Sequence, residues 1–224
     1  MIEKDNVGLK LHLFKRRFLF LLIMLLSLIV IAPFIDDYSG FRIVVDMVAT
    51  GTFIVTMYAI SEKKHHLILA LFLVVPTIVT LWIDYFMRVI WAYVVSDICG
   101  ILFFGFAIAI IVSFIRSQNE VTTEMIFAAV VVYLLMAMLW ADLYRLLETL
   151  SPGSFEMPAG EIQNDRILFL YFSLVTISTL GYGDITPLND RAAGLASVEA
   201  ITGQIYLVVL VAWLVGMHVS KQSK

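Results

Sequence analysis

Residues Thr176 to Pro187 read Thr-Ile-Ser-Thr-Leu-Gly-Tyr-Gly-Asp-Ile-Thr-Pro, and this is the stretch whose residue types can do chemistry. Gly181 and Gly183 flank Tyr182, and glycine adopts backbone conformations closed to most L-residues. Successive carbonyls can then be aimed at one axis, where the chemistry open to them is ligation through oxygen. A nucleotide-binding glycine loop fits poorly, because the third glycine is missing and the segment follows a helical rather than a strand pattern. A turn between helices that happens to contain two glycines is the remaining reading. No His-Glu-x-x-His, no Gly-x-Ser-x-Gly and no paired carboxylates with a neighbouring histidine occur, so the chain is not expected to be an enzyme. The other residue that stands out is Glu199, a carboxyl inside an apolar stretch, where a charge is expensive and normally finds a partner.

The elements that must position these residues follow from composition. Of 224 residues, 61% are hydrophobic and 15% charged, with a mean hydropathy of +0.96. Soluble domains run at about 45–50% apolar and about 25% charged, so the bilayer is the expected solvent. A formal charge of −3 with no long basic stretch excludes most nucleic-acid binding modes. The single Cys99 excludes an internal disulfide.

Long apolar runs predict six spans, at Phe18–Ile35, Ile43–Ile60, Leu67–Phe86, Val89–Ile115, Val121–Leu150 and Gly194–Val219. A further run, Ile167 to Thr179, is too short to cross and reads as re-entrant. The first span follows Lys10, Lys15, Arg16 and Arg17 without cleavage chemistry after it, and is expected to be a retained anchor. Pro76 is expected to kink the third span. With both termini inside, the cytoplasmic side collects ten Lys and Arg residues and the outer side five, as the positive-inside rule requires. The loop from Leu150 to Arg166 is then extracellular. Its Glu156, Glu161 and Asp165 form either a cation-attracting mouth or a solvated acidic loop.

The Thr176–Pro187 segment resembles the filter of the tetrameric potassium channels, Thr-Val-Gly-Tyr-Gly followed by Asp, and departs from it at Leu180. The resemblance implies an all-α membrane protein of six transmembrane helices, a re-entrant pore helix and a selectivity-filter loop, assembled as a homotetramer. Potassium ions, the transported species, would replace their hydration shell with carbonyl oxygens from Thr179, Leu180, Gly181, Tyr182 and Gly183. The Thr179 hydroxyl would add an innermost ligand, and Tyr182 would point away from the ions and brace the loop. Leu180 bears on packing behind the filter rather than on the ligands. Family channels place an aromatic thirteen residues before the filter Asp, and Tyr171 stands there, implying a hydrogen bond to Asp184.

The segment before the filter has Asn164 or Asp165 to cap a helix starting at Arg166. From Arg166 to Ser178 it would span about 20 Å, enough to descend halfway, with its carboxyl end aiming a partial negative charge of about half a unit at the cavity. In the last span, Gly203 lies nineteen residues after Asp184, the family's glycine position; it is a candidate hinge or a contact that permits close packing. Gln204, Leu207, Val211 and Val215 form a stripe expected to line the cavity and close as a hydrophobic gate. Some bacterial relatives carry a Glu behind the filter where this chain has Val175. Glu199 is expected to supply that carboxyl from the last span, touching Thr176 or Ser178 and tuning filter stability, unless it snorkels to the outer water.

Six spans with the pore last resemble voltage-gated channels, but the fourth span, Val89 to Ile115, contains no arginine, whereas a sensor carries about three to four gating charges. Arg88 and Arg116, 28 residues apart, would sit at opposite surfaces, about 42 Å apart along a helix. Voltage dependence is therefore expected to be weak or absent. Asp46 and Asp97 are the buried charges, with Asp84 and Asp142 nearer the outer ends, and Arg42 or Arg88 are candidate partners for Asp97. His65 and His66 read as a solvated turn, and His218 as a candidate pH sensor. The expected division is a cytoplasmic segment at 1–17, a four-helix membrane domain at 18–116, a pore domain at 117–219 and a cytoplasmic tail at 220–224, in the cell membrane. Within the pore domain the pore helix occupies 166–178, the filter 179–184 and the inner helix 194–219. The short tail leaves control to the membrane domain, lipid, ions, pH or another protein. A non-conducting regulatory subunit and a secondary transporter are the alternatives, the latter weakened by the absence of a second interrupted helix.

Overall fold

The computed structural model describes residues 16–35, 42–61, 63–83, 90–157 and 165–222. Among them are seven helices: α1 Arg17–Ile35, α2 Arg42–Ile60, α3 Lys64–Ile83, α4 Ile90–Arg116, α5 Thr123–Leu150, α6 Asp165–Ile177 and α7 Asp190–Gln222. Two short strands, β1 Phe155–Glu156 and β2 Thr186–Pro187, complete the described secondary structure. Helices α2, α3, α4, α5 and α7 are each long and apolar enough to cross a membrane, while α1 and α6 contain shorter apolar segments, Arg17–Ile31 and Arg166–Ile177. The chain is an all-α membrane protein. Asp84, Arg88, Glu161 and Asn164, and the side chains of Arg42, Asp165 and His218, lie outside what is described.

Local chemistry explains the boundaries. The Thr122 side chain accepts the Met125 N–H at 3.2 Å and caps α5, a contact whose loss typically costs about 1 kcal/mol. Asn189 Oδ1 accepts the Ala192 N–H at 2.9 Å, so α7 starts four residues before the expected Gly194. His65 and His66 lie in the first turn of α3 rather than in a solvated turn, and the His66 ring packs edge-on against Phe106, 5.8 Å between centroids. Helix α3 runs through Pro76, which has no N–H to offer the Phe72 carbonyl, and Thr77 Oγ1 donates to the Leu73 carbonyl at 3.1 Å.

Helix α5 is the spine. It packs on α1 and α4 on one side and on α6 and α7 on the other, while α2 leans on α1 and α3 on α4. The main core joins Phe18, Leu21, Phe53 and Phe103 to Met125 and Leu135 of α5. A second core, built from Trp140, Tyr144, Phe155, Phe169, Phe172 and Ile185, lies beside α6. Strands β1 and β2 pair antiparallel, Phe155 with Pro187 and Glu156 with Thr186, tying the chain after α5 to the chain before α7. The Glu148 carboxylate supports this clasp by accepting the N–H groups of Gly153, Ser154 and Phe155 at 2.7–3.2 Å, and Asn189 Nδ2 donates to Ser154 Oγ at 2.9 Å.

Candidate functional site

The loop from Ser178 to Asp184 hangs from the end of α6. Thr179, Gly181 and Gly183 have φ of +59°, +58° and +76°, while Leu180 and Tyr182 between them do not. Alternation of hand turns consecutive carbonyls to one side, where a strand would point them to opposite sides in turn. Glycine takes positive φ freely; a β-branched residue there is a strained outlier, and Thr179 is held in place by its neighbours. Its N–H donates to the Thr176 carbonyl at 3.0 Å, and the Leu180 and Gly181 N–H groups both donate to the Val175 carbonyl, at 3.0 and 3.3 Å. The Ser178 N–H and hydroxyl both donate to Leu174 O, and the Tyr133 hydroxyl donates to Ile177 O at 3.0 Å. The last four carbonyls of α6 are thus all engaged within the chain.

On the other side of the loop, the Tyr171 hydroxyl donates to Asp184 Oδ2 at 2.6 Å, the contact expected from their spacing. Two side chains of the loop are left open by the described residues, Leu180 at 56% exposed and Tyr182 at 66%.

Gly203 of α7 meets the end of α6. A Cβ placed there would fall 2.7 Å from the Ile177 carbonyl oxygen and 2.6 Å from Ile177 Cγ1, so the glycine serves close packing, within a helix unbroken from Asp190 to Gln222. One turn outward, Glu199 is fully buried. It does not touch Thr176 or Ser178, nor does it snorkel. Its two carboxyl oxygens are hydrogen-bonded to the hydroxyls of Tyr144 on α5 and Ser173 on α6, and Ser173 Oγ also lies 2.8 Å from the Ala137 carbonyl. The register set at Gly203 and Ile177 places Glu199 beside Ser173, four residues earlier on each helix. Aromatic rings close over the carboxyl: Tyr144 meets Phe172 and Phe155 edge-on, at 4.9 and 5.5 Å. Gln204, Leu207, Val211 and Val215 are all exposed on α7.

Residues 120–219 match the family model described as an ion channel. No curated protein and no solved structure matches the sequence. The ion-channel match covers α5, the clasp, α6, the loop and most of α7, and leaves α1 to α4 outside it.

A further set of charges joins the two parts. Arg145 of α5 pairs with Asp97 of α4 and, at 3.3 Å, with Asp142. Arg166, at the head of α6, lies 3.5 Å from Ser96 Oγ and lines, with Asp46 and Asp142, a cavity of about 40 Å³. Asp97 therefore pairs with Arg145; of its expected partners, Arg88 and the Arg42 side chain lie outside the described residues. The residues that sequence reasoning missed are Tyr133, Tyr144, Arg145, Ser173 and Ile177. Arg145 is visible in the sequence as a cation three residues after Asp142 on an apolar helix, but its partner Asp97 lies on another helix.

Proposed function

We propose that the chain is one subunit of a potassium-selective channel that conducts passively through a carbonyl-lined filter at Thr179–Gly183. The observation that carries this is the alternating positive φ at residues 179, 181 and 183, inside a Thr-Leu-Gly-Tyr-Gly-Asp segment of an ion-channel match. Rings of carbonyls replace the hydration shell of potassium, and one chain supplies one loop, so four chains close the pore. Tyr171 and Asp184 brace the loop from outside and Glu199 from behind. Gln204, Leu207, Val211 and Val215 line the path below, ending in an apolar constriction. The chain crosses the cell membrane six times with both termini cytoplasmic, and residues 18–116 form a four-helix domain without gating charges.

Rubidium or potassium uptake into liposomes containing the purified protein, with sodium as control, tests the reading. Uptake selective for potassium is expected, and Gly181→Ala is expected to abolish it, since alanine at that φ costs about 1–2 kcal/mol per subunit. Absence of uptake would point to a regulatory subunit, and sodium-coupled uptake to a transporter.

A further inference from the structure

Glu199, Ser173, Tyr144 and the Ala137 carbonyl make three hydrogen bonds, and the two hydroxyls among them supply only two protons. Tyr144 donates to one carboxyl oxygen of Glu199. Ser173 Oγ faces both the other carboxyl oxygen and, at 2.8 Å, the Ala137 carbonyl. A serine hydroxyl has one proton to give, and a carbonyl or carboxylate oxygen only accepts. With Glu199 ionised, Ser173 satisfies one of its two neighbours and turns a lone pair on the other.

A third proton, on the carboxyl, completes the chain: Glu199 donates to Ser173, Ser173 donates to Ala137, and Tyr144 donates to the second carboxyl oxygen. The surroundings favour that proton. Glu199 is fully buried. The titratable groups that face it are Tyr144 and Tyr133, both from α5, while α6 contributes only the Ser173 hydroxyl. Among the described residues no cation contributes to this cluster.

We propose that Glu199 is held as a neutral acid and works as a proton-dependent clamp binding α5, α6 and α7 together behind the filter. Loss of its proton to water breaks one of the three links and loosens α6, which carries the filter six residues beyond Ser173. The clamp itself follows from the hydrogen-bond count; only its effect on ion flow rests on the channel reading above.

Infrared spectroscopy of the full chain in lipid vesicles tests the clamp without any flux. A protonated-carboxyl stretch is expected at pH 7, absent in Glu199→Gln and lost from the wild type on alkaline titration. Tyr144→Phe is expected to move the same band to higher frequency, which assigns it to Glu199 even if Glu199→Gln fails to fold. Glu199→Gln keeps one donor and one acceptor, so it should melt as the wild type does at pH 7 and lose the alkaline destabilisation. No Glu199 acid band at pH 7, or a Glu199→Gln protein as unstable as Glu199→Ala, would overturn the clamp. In vesicles that conduct potassium, flux should fall on alkaline titration in the wild type and stay level in Glu199→Gln; an equal fall in both removes the link to the filter. Vesicles that show the band but never conduct sink the channel reading alone.

Discussion

Gly203 tests how the last helix is read at the scale of a single residue. A methyl group there enters the space of the Ile177 carbonyl, and overpacking of this kind costs about 1–3 kcal/mol. Gly203→Ala is therefore expected to lower the melting temperature of the purified protein in detergent, whereas a glycine needed only for bending would show little change in a resting-state melt. The contact also explains what could be read from residue spacing and what could not. Tyr171 and Asp184 lie at either end of one short segment, and their bond was implied by the resemblance to the filter family. Glu199 and its partners sit on three different helices. Its depth was legible and a turn toward α6 was one of two readings, but the choice of Ser173 over Thr176 or Ser178 depends on where α7 crosses α6. Only the packing of Gly203 on Ile177 sets that register.

Among the elements, α4 departs furthest from the architecture it resembles. Its interior charge is Asp97 rather than a ladder of arginines, and that charge is locked to Arg145 of α5. Removing one partner of a buried pair leaves the other uncompensated, at about 3–5 kcal/mol. Arg145→Met is expected to destabilise the protein by that order in a detergent unfolding series, and the joint change Asp97→Asn with Arg145→Met to recover much of it. A helix pinned in this way has no charge to move through the field, so reconstituted protein should show a flat conductance against voltage. Apolar run length predicted the long helices because a helix in lipid must be long and oily, and five of them are long and apolar enough to cross. The ends were less legible where polar residues cap or extend a helix, as Asn189 does for α7 and His65 and His66 do for α3. The Asp97–Arg145 pair was hidden for a different reason: no periodicity reports which faces of α4 and α5 meet.

Across the whole molecule, a single chain leaves α7 and part of the loop largely uncovered. Only 6% of the membrane window of α7 is buried within the chain, against 50% for α5, and Leu180 and Tyr182 of the loop are largely exposed. A homotetramer around the loop would cover both, with Leu180 and Tyr182 packed against neighbouring copies. Native mass spectrometry of the protein in detergent is expected to give four copies; a monomer that persists at high concentration would refute the assembly. The composition announced a membrane protein, but a count of apolar residues does not separate a face that meets lipid from one that meets another copy. The engaged carbonyls at the end of α6 bear on how such an assembly would treat an ion. Since Leu174, Val175, Thr176 and Ile177 already accept hydrogen bonds inside the subunit, the four helix ends would draw a cation toward the axis by their field more than by direct ligation. An ion waiting in the cavity would keep its water, and stripping would begin only at Thr179.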